Sequence, residues 1–296
     1  ERFGFNRTSL RLYFADKLRG LLLSLVIGAP FLFGVLHLMD ETGRFWWLWA
    51  FLFVTAFQVV MVVLYPTFIA PLFNKFTPIE EGELRERILA LAEKVGFKTS
   101  GIYTMDGSKR SSHSNAYFTG IGQSKRIVLF DTLLAKMTPP EALAVLSHEM
   151  GHYRLKHVRT TLAVNTIFLL IGFYVLSWFV DYKPLFAAFG LAPSSHAALV
   201  LASFLAGPLT FYLHPLFNML SRRHEYEADR FAAETMEAKD PLERALVKLT
   251  VENLANLTPH PWYSAYHYSH PSPTERISAI RAESGGSDQN RVAARP

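Results

Sequence analysis

The sequence predicts a mainly α-helical integral-membrane protein with four transmembrane helices and an α+β region built on a small antiparallel sheet. Three observations carry that prediction. Half of the 296 residues are apolar. They gather into four runs, Leu18 to Met39, Phe45 to Tyr65, Thr160 to Val180 and Ser195 to Phe217. Between the second and third runs, the pattern changes from helical spacing to short strand-like stretches. Each apolar run is close to the ~20 residues a helix needs to cross ~30 Å of hydrocarbon. Apart from Arg19, one residue inside the first run, none contains Lys, Arg, Asp or Glu. Four such runs separated by charged segments point to spans rather than to core helices of a soluble protein.

The basic residues set the topology. Residues 1–19 carry five Lys/Arg, 66–159 carry thirteen and 218–296 carry ten, while the loops 40–44 and 181–194 carry one each. By the positive-inside rule the three basic segments share the cytoplasmic side and the two short loops lie across the membrane. The net charge of +5 is then a matter of topology. No basic patch interleaved with aromatics appears, so nucleic acid is not an expected partner. The lipid bilayer is. The absence of cysteine excludes disulfides and thiolate metal ligands. Five segments follow: 1–65 with the first hairpin of spans, 66–159, 160–217 with the second hairpin, 218–283, and a polar tail 284–296 expected to be disordered. The chain opens on Glu without a cleavable signal peptide, and a longer parent protein is expected.

Within 66–159, Glu81 to Val95 has the helical spacing Leu84, Ile88, Leu91, Ala92, Val95, and Gly96 ends it. Strand-like runs follow at Gly101–Met105, Ser114–Thr119 and Arg126–Phe130, the first two separated by the turn Asp106-Gly107-Ser108. An edge strand of such a sheet can pair with an extended peptide through backbone hydrogen bonds. Pro139-Pro140-Glu141 then starts a helix that reads as unbroken into the third span.

That helix carries His148-Glu149-Met150-Gly151-His152. Residues i and i+4 of a helix are neighbours on one face, roughly 5–6 Å apart at Cβ, so the two imidazoles can converge on one metal. Glu149 is placed to take a proton from an attacking water. This is the pattern of a zincin-type peptidase centre, and it implies one Zn2+ per chain. Past the fourth span, Glu225 and Asp229 share a helical face. A carboxylate third ligand would leave the fourth zinc position open, as catalytic centres require. Asp229 could hold the rear nitrogen of His148 or His152. His224 and Glu227 compete with Glu225 as third ligand. His152 precedes Thr160, and Glu225 follows Phe217, by eight residues, roughly 12 Å of helix, which predicts a centre near the cytoplasmic membrane boundary. His157, five residues past His152, reads as pointing elsewhere into solvent.

Several stretches together resemble the type I CAAX prenyl protease family. They are Ser108 to Phe118, Arg126 to Leu134, the His-Glu-Met-Gly-His helix, Ser221 to Asp229, and Tyr268-Ser269-His270-Pro271. The match runs in order over nearly the whole chain. The resemblance implies an integral-membrane zinc endopeptidase whose third ligand is Glu225. It also implies that His270 and Arg276 stabilise the oxyanion and orient substrate, and that Asn115-Ala116-Tyr117 forms the edge on which substrate backbone lies. A helix cap is an equally ordinary role for the residues near Thr274. The family has seven membrane helices around a water-filled chamber; this chain joins that pattern partway with four, and a bacterial-type member lacking upstream spans is expected.

The expected substrate is a peptide or protein, on the family reading one with a prenylated C-terminal cysteine, cut in a bacterial inner membrane or an endoplasmic reticulum. A membrane-protein quality-control protease is a second enzymatic reading. A scaffold braced by zinc is a third, against which Glu149 argues, since a structural centre needs no base.

Overall fold

The computed structural model describes residues 4–120, 125–236 and 238–282. The tail 284–296 lies outside the described residues. In chain order, α1 (Leu10–Glu41) and α2 (Gly43–Phe73) are the first two long apolar helices. β1 (Phe76–Pro78) and α3 (Glu83–Lys94) precede β2 (Gly101–Met105), β3 (Ala116–Thr119) and β4 (Arg126–Phe130). α4 (Asp131–Lys136) leads into α5 (Pro139–Arg154), which carries the His-Glu-Met-Gly-His motif. α6 (His157–Phe179), α7 (Lys183–Ala188) and α8 (Ser195–Met236) follow, then α9 (Asp240–Glu252), α10 (Pro261–His267) and α11 over 273–282. Among the described residues, α1, α2, α6 and α8 are long and apolar enough to cross a membrane, as the four runs predict.

These residues divide into two compact units. One comprises residues 9–73 and 159–213. Its core is small, with Val35, Trp46, Ala50, Phe186 and Leu201 buried. Phe33, Leu52, Val60, Phe204 and Tyr212 are exposed. Outward-facing apolar side chains are costly in water and ordinary in lipid, where helices associate by close packing instead. Gly34 supplies such an approach: a Cβ there would lie 2.8 Å from the Phe53 ring. Phe31 fills the space alongside, with its ring 4.3 Å from that of Phe57.

The other unit draws its described residues from 1–8, 74–158 and 214–296. Its sheet has the order β1-β2-β4-β3 and is mixed, which corrects the antiparallel expectation. β3 pairs antiparallel with β4, but β2 pairs parallel with β4, with Ile102 opposite Ile127. A parallel pair needs a crossover longer than a hairpin turn, and residues 106–125, β3 among them, supply it. The expected strand Ser114–Thr119 is shorter, beginning at Ala116, and β1 was not anticipated. β4 is an inner strand, and its consecutive Ile127, Val128 and Leu129 are all buried, the pattern of a strand covered on both faces. Ile88 and Leu91 of α3 and Leu146 and Met150 of α5 share this core.

Thr138 and Glu141 form a capping box at the start of α5, with prolines at the first helical positions. Glu141 is only 1% exposed and accepts from Lys248 Nζ of α9 at 2.6 Å and from the Thr138 backbone at 2.8 Å. Burial opposes its charge, but the Lys248 and Thr138 hydrogen bonds outweigh it and hold the carboxyl below its ordinary range.

The far end of α5 differs from the expected unbroken run. The helix stops at Arg154, Leu155 N–H closes the last turn onto Gly151 O at 2.9 Å, and Lys156 takes a φ of 62°. α6 then begins afresh at His157. Neither Leu155 nor Lys156 is a usual breaker, so spacing alone did not announce the turn.

Candidate metal centre

α5 and α8 meet where both carry small residues. A Cβ on Gly151 would lie 3.1 Å from Ala228 Cα and 3.2 Å from its carbonyl oxygen, and Ala228 is fully buried. This close approach lets a glutamate on α8 reach the histidine pair on α5.

His148 Nε2 and His152 Nε2 lie 3.1 Å apart. Glu225 places Oε1 at 3.3 Å from His152 Nε2 and Oε2 at 3.5 Å from His148 Nε2. Donors at the usual ~2.05 Å from a tetrahedral Zn2+ would be about 3.3 Å from one another, so the three residues fit such an ion. One further observation agrees. The buried Glu225 Oε2 has no well-formed hydrogen bond among the described residues, its near neighbours being Arg276 Nη1 at 3.2 Å and His148 Nε2 at 3.5 Å. Burial alone would lower the pKa of His148, and the Asp229 and Glu225 carboxylates beside it push it up to about 9. Among the described residues, His148, His152 and Glu225 form the one group of this kind.

Behind the centre, Asp229 Oδ1 accepts from His148 Nδ1 at 2.8 Å. Arg276 grips the same carboxylate twice, through Nε at 2.7 Å and Nη2 at 2.6 Å, and sets Nη1 3.2 Å from Glu225 Oε2. Arg276 is itself 9% exposed. Its position one turn into α11 follows from a capping box in which Ser272 N–H donates to Glu275 Oε2 at 2.7 Å. Arg222 of α8 ties that cap down, donating to Glu275 Oε1 at 2.8 Å. The cap is therefore Ser272 with Glu275, two residues ahead of the expected Thr274.

Two family models match the sequence. "Peptidase family M48" covers residues 78–284, and "CAAX prenyl protease N-terminal, five membrane helices" covers residues 1–75. The chain belongs to peptidase family M48. It is 38% identical to CAAX prenyl protease 1 of Saccharomyces cerevisiae, over 95% of this chain and 65% of that one. It is 34% identical to the human CAAX prenyl protease 1 homolog, over 95% of this chain and 67% of the relative. Among solved structures it resembles the S. mikatae Ste24p crystal structure, with a TM-score of 0.86 and 36% identity over 94% of this chain and 68% of that one. The chain thus spans about two thirds of the length of these relatives. The M48 family implies a metal cofactor, for which His148, His152 and Glu225 are the available group. The chain is a multi-pass integral-membrane protein.

The other predicted residues of the M48 centre fall in different places. A cavity of about 250 Å3 is lined by Asn115, Ala116, His148, Glu149, His152, Glu225, His270 and Arg276 among others. Glu149 is half-buried, and burial raises its pKa against the opposing pull of His148 and His152. His270 is largely exposed, with Nε2 3.4 Å from Glu225 Oε1. Tyr117 does not share the cavity wall; its ring packs edge-on near Phe130 at 6.2 Å and its hydroxyl turns to Met105 Sδ at 3.8 Å.

His224 and Glu227, the competing ligand choices, lie outside the donor group. His157, expected in solvent, is buried at 4% exposure, and its Nδ1 lies 3.0 Å from His152 Nδ1. The break at Leu155–Lys156 re-aims it, and only a signal for that break could have revealed the contact from sequence.

Proposed function

We propose that this chain is a membrane-embedded zinc metalloendopeptidase that cuts near the C-terminus of prenylated CAAX-type proteins, with its centre on the cytoplasmic side. The observation that carries this reading is one cavity holding a zinc-sized donor triangle, the half-buried Glu149 carboxylate and the start of edge strand β3. The relatives' names supply the CAAX class, and the basic segments supply the side.

His148 Nε2, His152 Nε2 and the Glu225 carboxylate would hold the ion. Zinc in such a setting acts as a Lewis acid on the scissile carbonyl and brings water toward neutral acidity. Glu149 takes the proton of the attacking water and passes it to the departing amine. His270, exposed at the cavity wall, donates through Nε2 to the oxyanion that forms on the carbonyl. Asp229 keeps the proton of His148 on Nδ1, leaving Nε2 free to ligate. Arg276 holds Asp229 and adds positive charge beside the cavity. Asn115 and Ala116 offer backbone groups to an extended substrate.

The test has two parts. Metal content of the wild type should be one zinc per chain, largely lost in Glu225→Ala. Glu149→Gln should keep zinc and lose about 100-fold or more of the cleavage rate on a prenylated peptide. Normal cleavage by Glu149→Gln would sink the assigned base. Zinc retained by Glu225→Ala would move the third ligand. Preference for an unfolded membrane protein over the prenylated peptide would turn the reading to quality control.

A further inference from the structure

Resting on the reading of His152 as a metal ligand, we propose that His157 and Glu227 form a positioning relay that fixes the ring and tautomer of His152. The two imidazoles face each other rear to rear, with Nδ1 to Nδ1 at 3.0 Å. One of those nitrogens must donate and the other accept. A His152 that ligates through Nε2 carries its proton on Nδ1, so His152 donates and His157 Nδ1 accepts. A neutral His157 then has its own proton on Nε2, which lies 3.0 Å from Glu227 Oε2. The remaining Glu227 oxygen accepts from Arg223 Nε at 2.8 Å. A single proton assignment satisfies every member of the chain Arg223–Glu227–His157–His152.

The ring plane of His157 is held as well. It stacks on His224 at 4.0 Å between centroids and 8° between planes. His224 and Glu227 thus have work that explains their place near the centre without ligation. The arrangement parallels the other side, where Asp229 holds the rear nitrogen of His148 at 2.8 Å and is gripped by Arg276. A partner on the rear nitrogen orients a ligating imidazole and raises its basicity; losing such a partner typically weakens metal binding about 10–100-fold.

The test uses the full chain purified in detergent, with Zn2+ affinity read by competition with a chromophoric chelator and Co2+ bound as a spectroscopic probe. His157→Phe keeps an aromatic ring for His224 and removes both hydrogen bonds; its Zn2+ affinity should fall about 10–100-fold and its Co2+ visible bands should shift. His157→Gln restores one acceptor and one donor and should stay within about threefold of wild type. Glu227→Met, at a partly exposed position, removes only the outer acceptor and should give a smaller loss. If His157 is merely a packing residue, His157→Phe will lower the unfolding temperature while leaving Zn2+ affinity and Co2+ bands unchanged, and that overturns the relay. Should His157→Phe fail to fold, unchanged affinity in Glu227→Met overturns it instead. A wild type that binds neither Zn2+ nor Co2+ would defeat the reading of the centre itself, a separate and distinguishable outcome.

Discussion

Replacing Arg276 by Ala tests what that side chain does. Asp229 has a side chain only 1% exposed, and its partners are Arg276 Nε and Nη2 at 2.7 and 2.6 Å and His148 Nδ1 at 2.8 Å. Without the arginine, a buried carboxylate keeps one neighbour of the three. Breaking a buried pair from one side costs about 3–5 kcal/mol, because the surviving charge is left uncompensated. At about 2–4 °C per kcal/mol for a unit of this size, Arg276→Ala should lower the unfolding temperature by about 6–20 °C. Asp229→Ala leaves the buried guanidinium only its contact with Glu225 Oε2 at 3.2 Å and should cost a similar amount. The double variant removes both charges, so its loss should not exceed that of either single one, a coupling of about 3–5 kcal/mol or more. The assay is thermal unfolding of the four proteins in detergent after chelation of metal, which keeps ligand linkage out of the comparison. Arg276→Lys, a point charge that cannot make the two-pronged contact, should fall between wild type and Ala. Additive losses would refute the pairing and free Arg276 for a direct role on substrate.

Gly151→Ala should lower stability by about 1–3 kcal/mol despite the usual helical gain of alanine, since its Cβ would press on Ala228 backbone at 3.1 and 3.2 Å; unfolding temperature and Zn2+ affinity, both reduced, check it. For Glu141 the folded-state pKa lies below the ordinary 4.5, so its contribution is complete above that value and is lost as pH falls through the folded-state value. The stability gap between wild type and Glu141→Gln should therefore be widest near neutrality and close on acidification below about pH 4.5, read as unfolding temperature from pH 7 to 3. Lys156 at φ 62° predicts that Lys156→Gly is tolerated while Lys156→Val costs about 1–2 kcal/mol, again by unfolding temperature.

The membrane helices were legible because lipid demands a simple code, an uninterrupted apolar run of fixed length, and α1, α2, α6 and α8 all obey it. The histidine pair was legible for a similar reason, since His148 and His152 depend only on local helical spacing; spacing left Glu225 in competition with His224 and Glu227, and the family resemblance alone chose it. Pairing order in the sheet is a different matter. Nothing local to Gly101–Met105 or Arg126–Phe130 says that they lie side by side and parallel; that depends on where a twenty-residue connection travels. The unbroken apolar triplet Ile127-Val128-Leu129 is the local trace of an inner strand, visible as such only once the structure buries all three. For Arg276 the family pattern pointed at substrate, whereas its burial and twofold grip on Asp229 are long-range facts that spacing cannot carry.

His157 shows how one local feature propagates into the centre. Had α5 continued into α6 without a break, residue 157 would lie about 140° round the helix from His152 and face away from it. The chain instead places Lys156 in the left-handed region, at a cost of about 1–2 kcal/mol. The turn so made admits two hydrogen bonds, His152 to His157 and His157 to Glu227. A neutral bond contributes about 1 kcal/mol and one to a charged carboxylate about 1.5–3, enough to offset the strained residue. The strain and the relay therefore stand or fall together: a variant that relaxes Lys156 by lengthening the helix, such as Lys156→Ala with Leu155→Ala, should gain local helical propensity and still lose Zn2+ affinity, because His157 would turn away from His152.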